Sequence, residues 1–121
     1  LLAFGGYKVQ GKTDAAAETL LSDAEALNSA GAFAVVLEMV PAPLAEKVSK
    51  ACTMPAIGIG AGAAVDGQVL VITDLLGMDP DFAPRFVRKY ANLSQDILKA
   101  LEGYAADVRD TKFPSDKETF H

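Results

Sequence analysis

One acidic side chain stands where packing gives it no reason to be. Phe33-Ala34-Val35-Val36-Leu37-Glu38-Met39-Val40 is a short apolar run rich in β-branched residues, closed by Pro41 and interrupted only by Glu38. Such a run predicts a buried parallel strand. Alternation along it puts Ala34, Val36, Glu38 and Val40 on one face and Phe33, Val35, Leu37 and Met39 on the other. Burying a carboxylate among such neighbours is costly unless it is paired, and desolvation would raise its pKa. A raised pKa makes a better base near neutral pH, so Glu38 is the candidate catalytic base. The competing role is purely structural, a buried ion pair or a cap on a neighbouring loop.

Other chemistry-bearing residues offer weaker patterns. Gly58-Ile59-Gly60-Ala61-Gly62 at a strand end has the look of a phosphate cradle. It lacks the Lys-Ser/Thr of a P-loop, no helix pattern opens after it, and no Lys or Arg occurs between Lys50 and Arg85. Tight backbone packing, or close approach of a substrate, explains those glycines better. Asp66, Asp74 and Asp79 are hard oxygen donors, but their spacing matches no metal loop; Asp66-Gly67 suits a turn and Asp79-Pro80 a helix approach. No residue of the chain is therefore assigned to a metal. Cys52, the single cysteine, falls at helical spacing after Leu44 and Val48 and reads as a small core hydrophobe. His121 has no local ligand company and reads as a solvated end.

The elements that must position Glu38 follow from hydrophobic periodicity. Gly5, Gly6 and Gly11 bracket a loop leading to Thr13 as N-cap; Ala16, Leu20, Ala24 and Leu27 then give one helical stripe, closed by Gly31. After the Glu38 strand, Pro43 can open a helix whose Leu44, Val48 and Cys52 are buried and whose Glu46, Lys47 and Lys50 face water. Ala56-Ile57-Gly58-Ile59-Gly60 is a second short strand, completing a βαβ unit, and Val69-Leu70-Val71-Ile72 a third. Asp74 to Asp81 form an acidic loop. Phe82, Phe86, Tyr90, Leu93, Ile97 and Leu101 predict a long helix, with Pro84 in its first turn and a break near Asn92-Leu93-Ser94. Residues 111–121 read as a polar tail.

Alternating helices and strands imply an α/β fold with a parallel sheet under helices. Three strands alone would be poorly protected. A closed (βα)8 TIM barrel needs about 250 residues, so this chain would supply roughly half of one, and the missing half must come from elsewhere. Leu1 is not an initiator methionine, which fits a chain cut from something longer. In a barrel the Ala34-Val36-Glu38 face, with its smaller side chains, turns inward, and Glu38 lies near the strand's carboxyl end, where barrel enzymes build their active sites.

Composition bounds the partners. With 50% hydrophobic and 22% charged residues among 121, the chain has the material for a packed core. Net charge is −5, and residues 1–84 hold 4 basic against 10 acidic side chains, whereas residues 85–121 hold 7 against 6. The glycine-rich loops thus lie in the acidic part, so nucleic acid and anionic membranes are disfavoured. No signal peptide or membrane span is read, and a lone cysteine fits a reducing, cytoplasmic compartment. A small uncharged or metal-bound substrate fits best.

Four linked segments carry a resemblance: Phe4-Gly5-Gly6-Tyr7-Lys8-Val9-Gln10-Gly11-Lys12, Val36-Leu37-Glu38-Met39-Val40-Pro41, Pro55-Ala56-Ile57-Gly58-Ile59-Gly60-Ala61-Gly62 and Asp66-Gly67-Gln68-Val69-Leu70-Val71. In order and spacing they resemble the ketopantoate hydroxymethyltransferase family, and the likeness runs through Pro84-Arg85-Phe86-Val87-Arg88 to Phe113-Pro114. The resemblance implies transfer of a one-carbon unit from 5,10-methylenetetrahydrofolate to 3-methyl-2-oxobutanoate, giving 2-dehydropantoate on the route to pantothenate and coenzyme A. It implies a divalent metal, usually Mg2+, that chelates the keto acid and stabilises the enolate. The family's Leu-Glu-x-Val-Pro glutamate falls on Glu38, which by that resemblance removes the proton from carbon 3. The family's metal-binding acids and its lysine against the keto acid lie in the amino-terminal half of the barrel. The resemblance therefore makes this chain the C-terminal half of a single (βα)8 barrel domain spanning 1–121, with 111–121 as a tail and incomplete without an N-terminal half. That half is an expected partner, as is a homo-oligomer of whole barrels. The residues that bind substrate and folate stay unassigned. Two other readings compete: a magnesium-enolate barrel of the phosphoenolpyruvate mutase and isocitrate lyase type, and a noncatalytic half-barrel assembly subunit.

Overall fold

The computed structural model describes residues 8–120, so the Gly5-Gly6 part of the first loop and His121 lie outside the described residues. The chain divides between Leu70 and Val71 into two compact units. Helix and parallel sheet alternate, which makes the class mixed α/β, as expected.

In the first unit, α1 spans Asp14–Ser29. Thr13 holds its N-terminus by accepting the Ala16 N–H at 3.3 Å, the predicted cap. Gly31, at φ 84, ends the helix as its N–H reaches the Asn28 carbonyl. The buried stripe is rotated from the predicted one: Ala17, Leu20, Leu21 and Ala24 meet the core, while Ala16 and Leu27 are exposed. Strand β1 is Val35–Glu38 and β2 is Ala56–Ile59, paired in parallel with Glu38 opposite Ile59. Helix α2, Ala42–Ala51, crosses between them with Pro43 in its first turn and with Leu44, Ala45 and Val48 buried. All of these pack on one face of the sheet, against Leu37, Ala56 and Ala61.

Strand β3 is only Gly67–Gln68, parallel to β2, and its place corrects the expected strand at Val69–Ile72. Strand residues need a ladder partner, whatever their propensity. Beyond Gly58, whose carbonyl takes the Val69 N–H at 3.0 Å, β2 has little left to offer, because Gly60 turns the chain away at φ 65. The connection from β2 to β3 is the seven residues Gly60–Asp66, far shorter than the dozen or more of an ordinary parallel crossover. It contains no helix. Ala61 and Val65 fill the position a helix would take.

In the second unit α3 is Ile72–Leu75 and α4 is Leu93–Arg109. The helix expected from Phe82 therefore begins only at Leu93, where a break had been expected. Residues 76–92 are committed elsewhere: the Tyr90 N–H bonds the Leu75 carbonyl, the Leu93 N–H bonds the Leu76 carbonyl, and the Lys89 ammonium holds the carbonyls of Asp79 and Pro80. Those bonds complete the end of α3, so the helical spacing of Phe82, Phe86 and Tyr90 carries no helix. After α4, Phe113 sets its ring edge-on to Tyr104 at 5.4 Å, and Asp116–Glu118 form a short 3-10 turn closed by a Ser115–Glu118 capping box.

Candidate active site

Register decides which side chains share a face. Residues aligned across parallel strands point the same way, so Val35, Leu37, Ala56 and Gly58 lie under the helices. Val36, Glu38, Ile57 and Ile59 lie on the other face. Leu37 is 5% exposed and Val36 60%, because within this unit helices cover one face only. Glu38, the last residue of β1, is accordingly exposed, which corrects its expected burial. Its placement at the carboxyl end of a parallel strand is as expected. Among the described residues neither ion pair includes it, these being Glu46–Lys50 and Asp110–Lys112, and no donor hydrogen-bonds its carboxylate.

Met39 ends the strand in the left-handed region at φ 53, a conformation that costs a non-glycine residue roughly 1 kcal/mol. Two backbone bonds hold it there: its N–H donates to the Ile59 carbonyl and its carbonyl accepts from the Gln10 N–H, each at 2.9 Å. The turn breaks the alternation. Val40, expected beside Glu38, points instead into the helix-covered core at 4% exposure. Along β1 runs a groove of about 230 Å³, lined by Leu20, Asp23, Ala24 and Leu27 of α1, by Val35, Val36, Leu37, Glu38 and Val40, and by Gln10.

The glycine loop follows the Glu38–Ile59 pair directly. Gly62 adopts φ 81, and a Cβ on it would collide with Ala42 at the start of α2, so glycine is required for close packing, as expected. The Gln68 side chain donates to the Gly62 carbonyl at 2.8 Å. Gln10, Met39 and Gln68 all sit inside the quoted motifs, yet sequence reasoning gave them no role; only Met39, a non-glycine residue at a strand exit, offered a local signal.

Asp66, Asp74 and Asp79, the acids weighed as metal donors, bond elsewhere, while Asp23 of α1 lines the groove that Glu38 also lines. Asp66 lies beside the opposite, amino end of β2, where its carboxylate accepts the Ala56 N–H at 2.8 Å and the Ser49 hydroxyl at 3.0 Å. Those bonds, the Ala56 N–H first, hold its pKa below the ordinary aspartate value. In the second unit Asp79 accepts the N–H groups of Asp81 and Phe82, and Asp74 accepts the Thr73 hydroxyl at 3.4 Å. Among the described residues no three His, Cys, Asp or Glu side chains stand together as a metal site, and no helix is long and apolar enough to cross a membrane. Cys52 follows α2, partly buried against the core.

Residues 1–116 match the family described as Ketopantoate hydroxymethyltransferase. The chain is 56% identical over 118 residues to a 3-methyl-2-oxobutanoate hydroxymethyltransferase of Enterococcus faecalis, covering 98% of this chain and 43% of that protein. It is 53% identical over 117 residues to one from Syntrophus aciditrophicus and 52% identical to one from Thermotoga neapolitana, each covering 97% of this chain and 43% of the relative. The chain thus spans less than half the length of these relatives.

Proposed function

The chain belongs to the ketopantoate hydroxymethyltransferase family, and from that membership we propose that it forms the carboxyl-terminal half of a (βα)8 barrel in which Glu38 is the catalytic base. The reaction is transfer of the one-carbon unit of 5,10-methylenetetrahydrofolate to 3-methyl-2-oxobutanoate. Glu38 takes the proton from carbon 3, that carbon bonds the folate methylene, and both methylene–nitrogen bonds break with their electron pairs staying on nitrogen. Water supplies the hydroxyl of 2-dehydropantoate, and the two nitrogens take up the proton removed from carbon 3 and the one released by water. A positioned base contributes about 10²–10⁴-fold to such a step.

The observation that carries this reading is the position of Glu38: at the carboxyl end of a parallel strand, on the sheet face opposite the core under α1 and α2, with no hydrogen bond or ion pair on its carboxylate among the described residues. A closed barrel would turn that face inward and shield Val36 along with it. The Mg2+ that the family resemblance implies does not fit the acids described in this chain, which do not converge. Its ligands belong to the amino-terminal half in this reading. Assembly of whole barrels into a homo-oligomer, in the cytoplasm, completes the proposal.

The test is complementation. The 121-residue chain is expected to show no folate-dependent hydroxymethyl transfer by itself and to gain it when mixed with the amino-terminal half of the barrel. Full activity from the chain alone would overturn the division of labour between the halves.

A further inference from the structure

The β2–β3 connection is anchored at two levels. At its base, Asp66 exchanges bonds with Ala56: its backbone N–H donates to the Ala56 carbonyl at 3.0 Å and its carboxylate accepts the Ala56 N–H at 2.8 Å. Higher up, the Gln68 amide donates to the Gly62 carbonyl at 2.8 Å. Gln68 is the register partner of Gly58, and its side chain lies over that glycine, near enough that a Cβ there would meet its Oε1 at 3.4 Å. In a seven-residue crossover without a helix, a side chain that holds the middle of the loop takes over what helix packing does elsewhere.

Two physical routes join this clamp to Glu38. The first is through the Ile59–Gly60 peptide: the Ile59 carbonyl accepts the Met39 N–H, and the loop held by Gln68 begins at the same peptide. Shifting Gly60–Gly62 therefore moves the acceptor that fixes Met39, the residue next to Glu38. The second is steric. Gly62 packs directly against Ala42, so the loop also bounds the turn by which β1 enters α2. A strained left-handed residue such as Met39 keeps its conformation only while its surroundings over-determine it.

We propose that Gln68 is a positioning residue for Glu38, acting through the Gly60–Gly62 loop and the Met39 backbone. This rests on the reading of Glu38 as base. Misplacing a catalytic group by about 1 Å can cost about a hundredfold in rate, so loss of the clamp acts on the proton-transfer step more than on substrate binding.

The test uses Gln68→Glu, which keeps the length and removes the donor at neutral pH, with Gln68→Leu as a second variant. In the enzyme completed by its amino-terminal half, both are expected to slow deuterium exchange at carbon 3 of 3-methyl-2-oxobutanoate by about ten- to a hundredfold, with the keto-acid KM within about twofold. In the same samples the Met39 amide should exchange with solvent faster while amides inside α2 keep their protection. Unchanged carbon-3 exchange together with an unchanged Met39 amide overturns the clamp. So does uniform loss of protection across the unit, which marks a stability effect alone. Full carbon-3 exchange in Glu38→Gln sinks the base reading, and the positioning role with it, while a faster Met39 amide in the Gln68 variants would still record the mechanical link.

Discussion

The two faces of the three-stranded sheet are built from neighbouring residues and serve opposite ends. On one, Leu37, Ala56 and Gly58 are sealed under α1 and α2, together with Val40, Leu44, Ala45 and Val48. On the other, Val36 is 60% exposed and Glu38 is exposed as well. A single-residue step along β1 thus passes from a side chain that holds the unit together to an exposed one, and with Glu38 in the proposed role of base, folding and function would be separable on this strand.

The comparison is broken most forcefully at Glu38. Glu38→Gln is expected to lower carbon-3 deuterium exchange in the completed enzyme by about 10²–10⁴-fold. The same change should leave the unfolding free energy of the 121-residue chain within about 0.5 kcal/mol of the parent, because an exposed carboxylate contributes little to stability. A large fall in stability would mean that the open face is structural after all.

The next test sets adjacent residues against each other. Leu37→Ala empties part of the core beneath α1 and α2 and should cost about 2–5 kcal/mol in equilibrium unfolding. Val36→Thr keeps β-branching on the open face and should cost under about 0.5 kcal/mol in the chain by itself. In the assembly with the amino-terminal half, the hydroxyl of Val36→Thr would be buried and should weaken association about tenfold. Equal costs for the two in the isolated chain would erase the distinction between the faces.

What the sequence made legible was the part fixed by local chemistry: the Thr13 cap, the Gly31 stop, the Pro43 start of α2, and Leu37 under the helices with Glu38 on the opposite face of its strand. It misread features set by partners distant in sequence. Val69–Ile72 has strand composition but no ladder partner past Gly58, and Phe82–Tyr90 has helical spacing but spends its backbone on α3. Val40 was misplaced because alternation assumes a continuous strand, and Met39 at φ 53 ends it one residue early. Glu38 was placed correctly on its strand and face, but the expected burial required a cover that the described residues do not supply. Gln68 stood in plain view within a motif; only the curl of the loop toward it reveals the bond.

The smallest effect probes the sealed face from its amino end. Asp66 accepts the Ala56 N–H and the Ser49 hydroxyl, tying the start of β2 to α2 and to the approach to β3. Because these bonds favour the ionised carboxylate, its folded pKa is depressed, whereas the unfolded chain titrates near the ordinary value of roughly 3.9. Between the two values the unfolded state binds more protons, so the stabilisation is fully present above the unfolded pKa and is lost as pH falls through the folded one. Asp66→Asn removes the charge while keeping an acceptor oxygen. The gap in denaturant midpoint between parent and variant should therefore stay constant from pH 7 to about 5 and close below about 4. Glu46 and Glu118, depressed in the same direction by their own partners, are present in both proteins and cancel in the difference. A gap that persists unchanged to pH 3 would show that Asp66 holds the sheet by shape alone, and that ionisation adds nothing to the bonds it accepts.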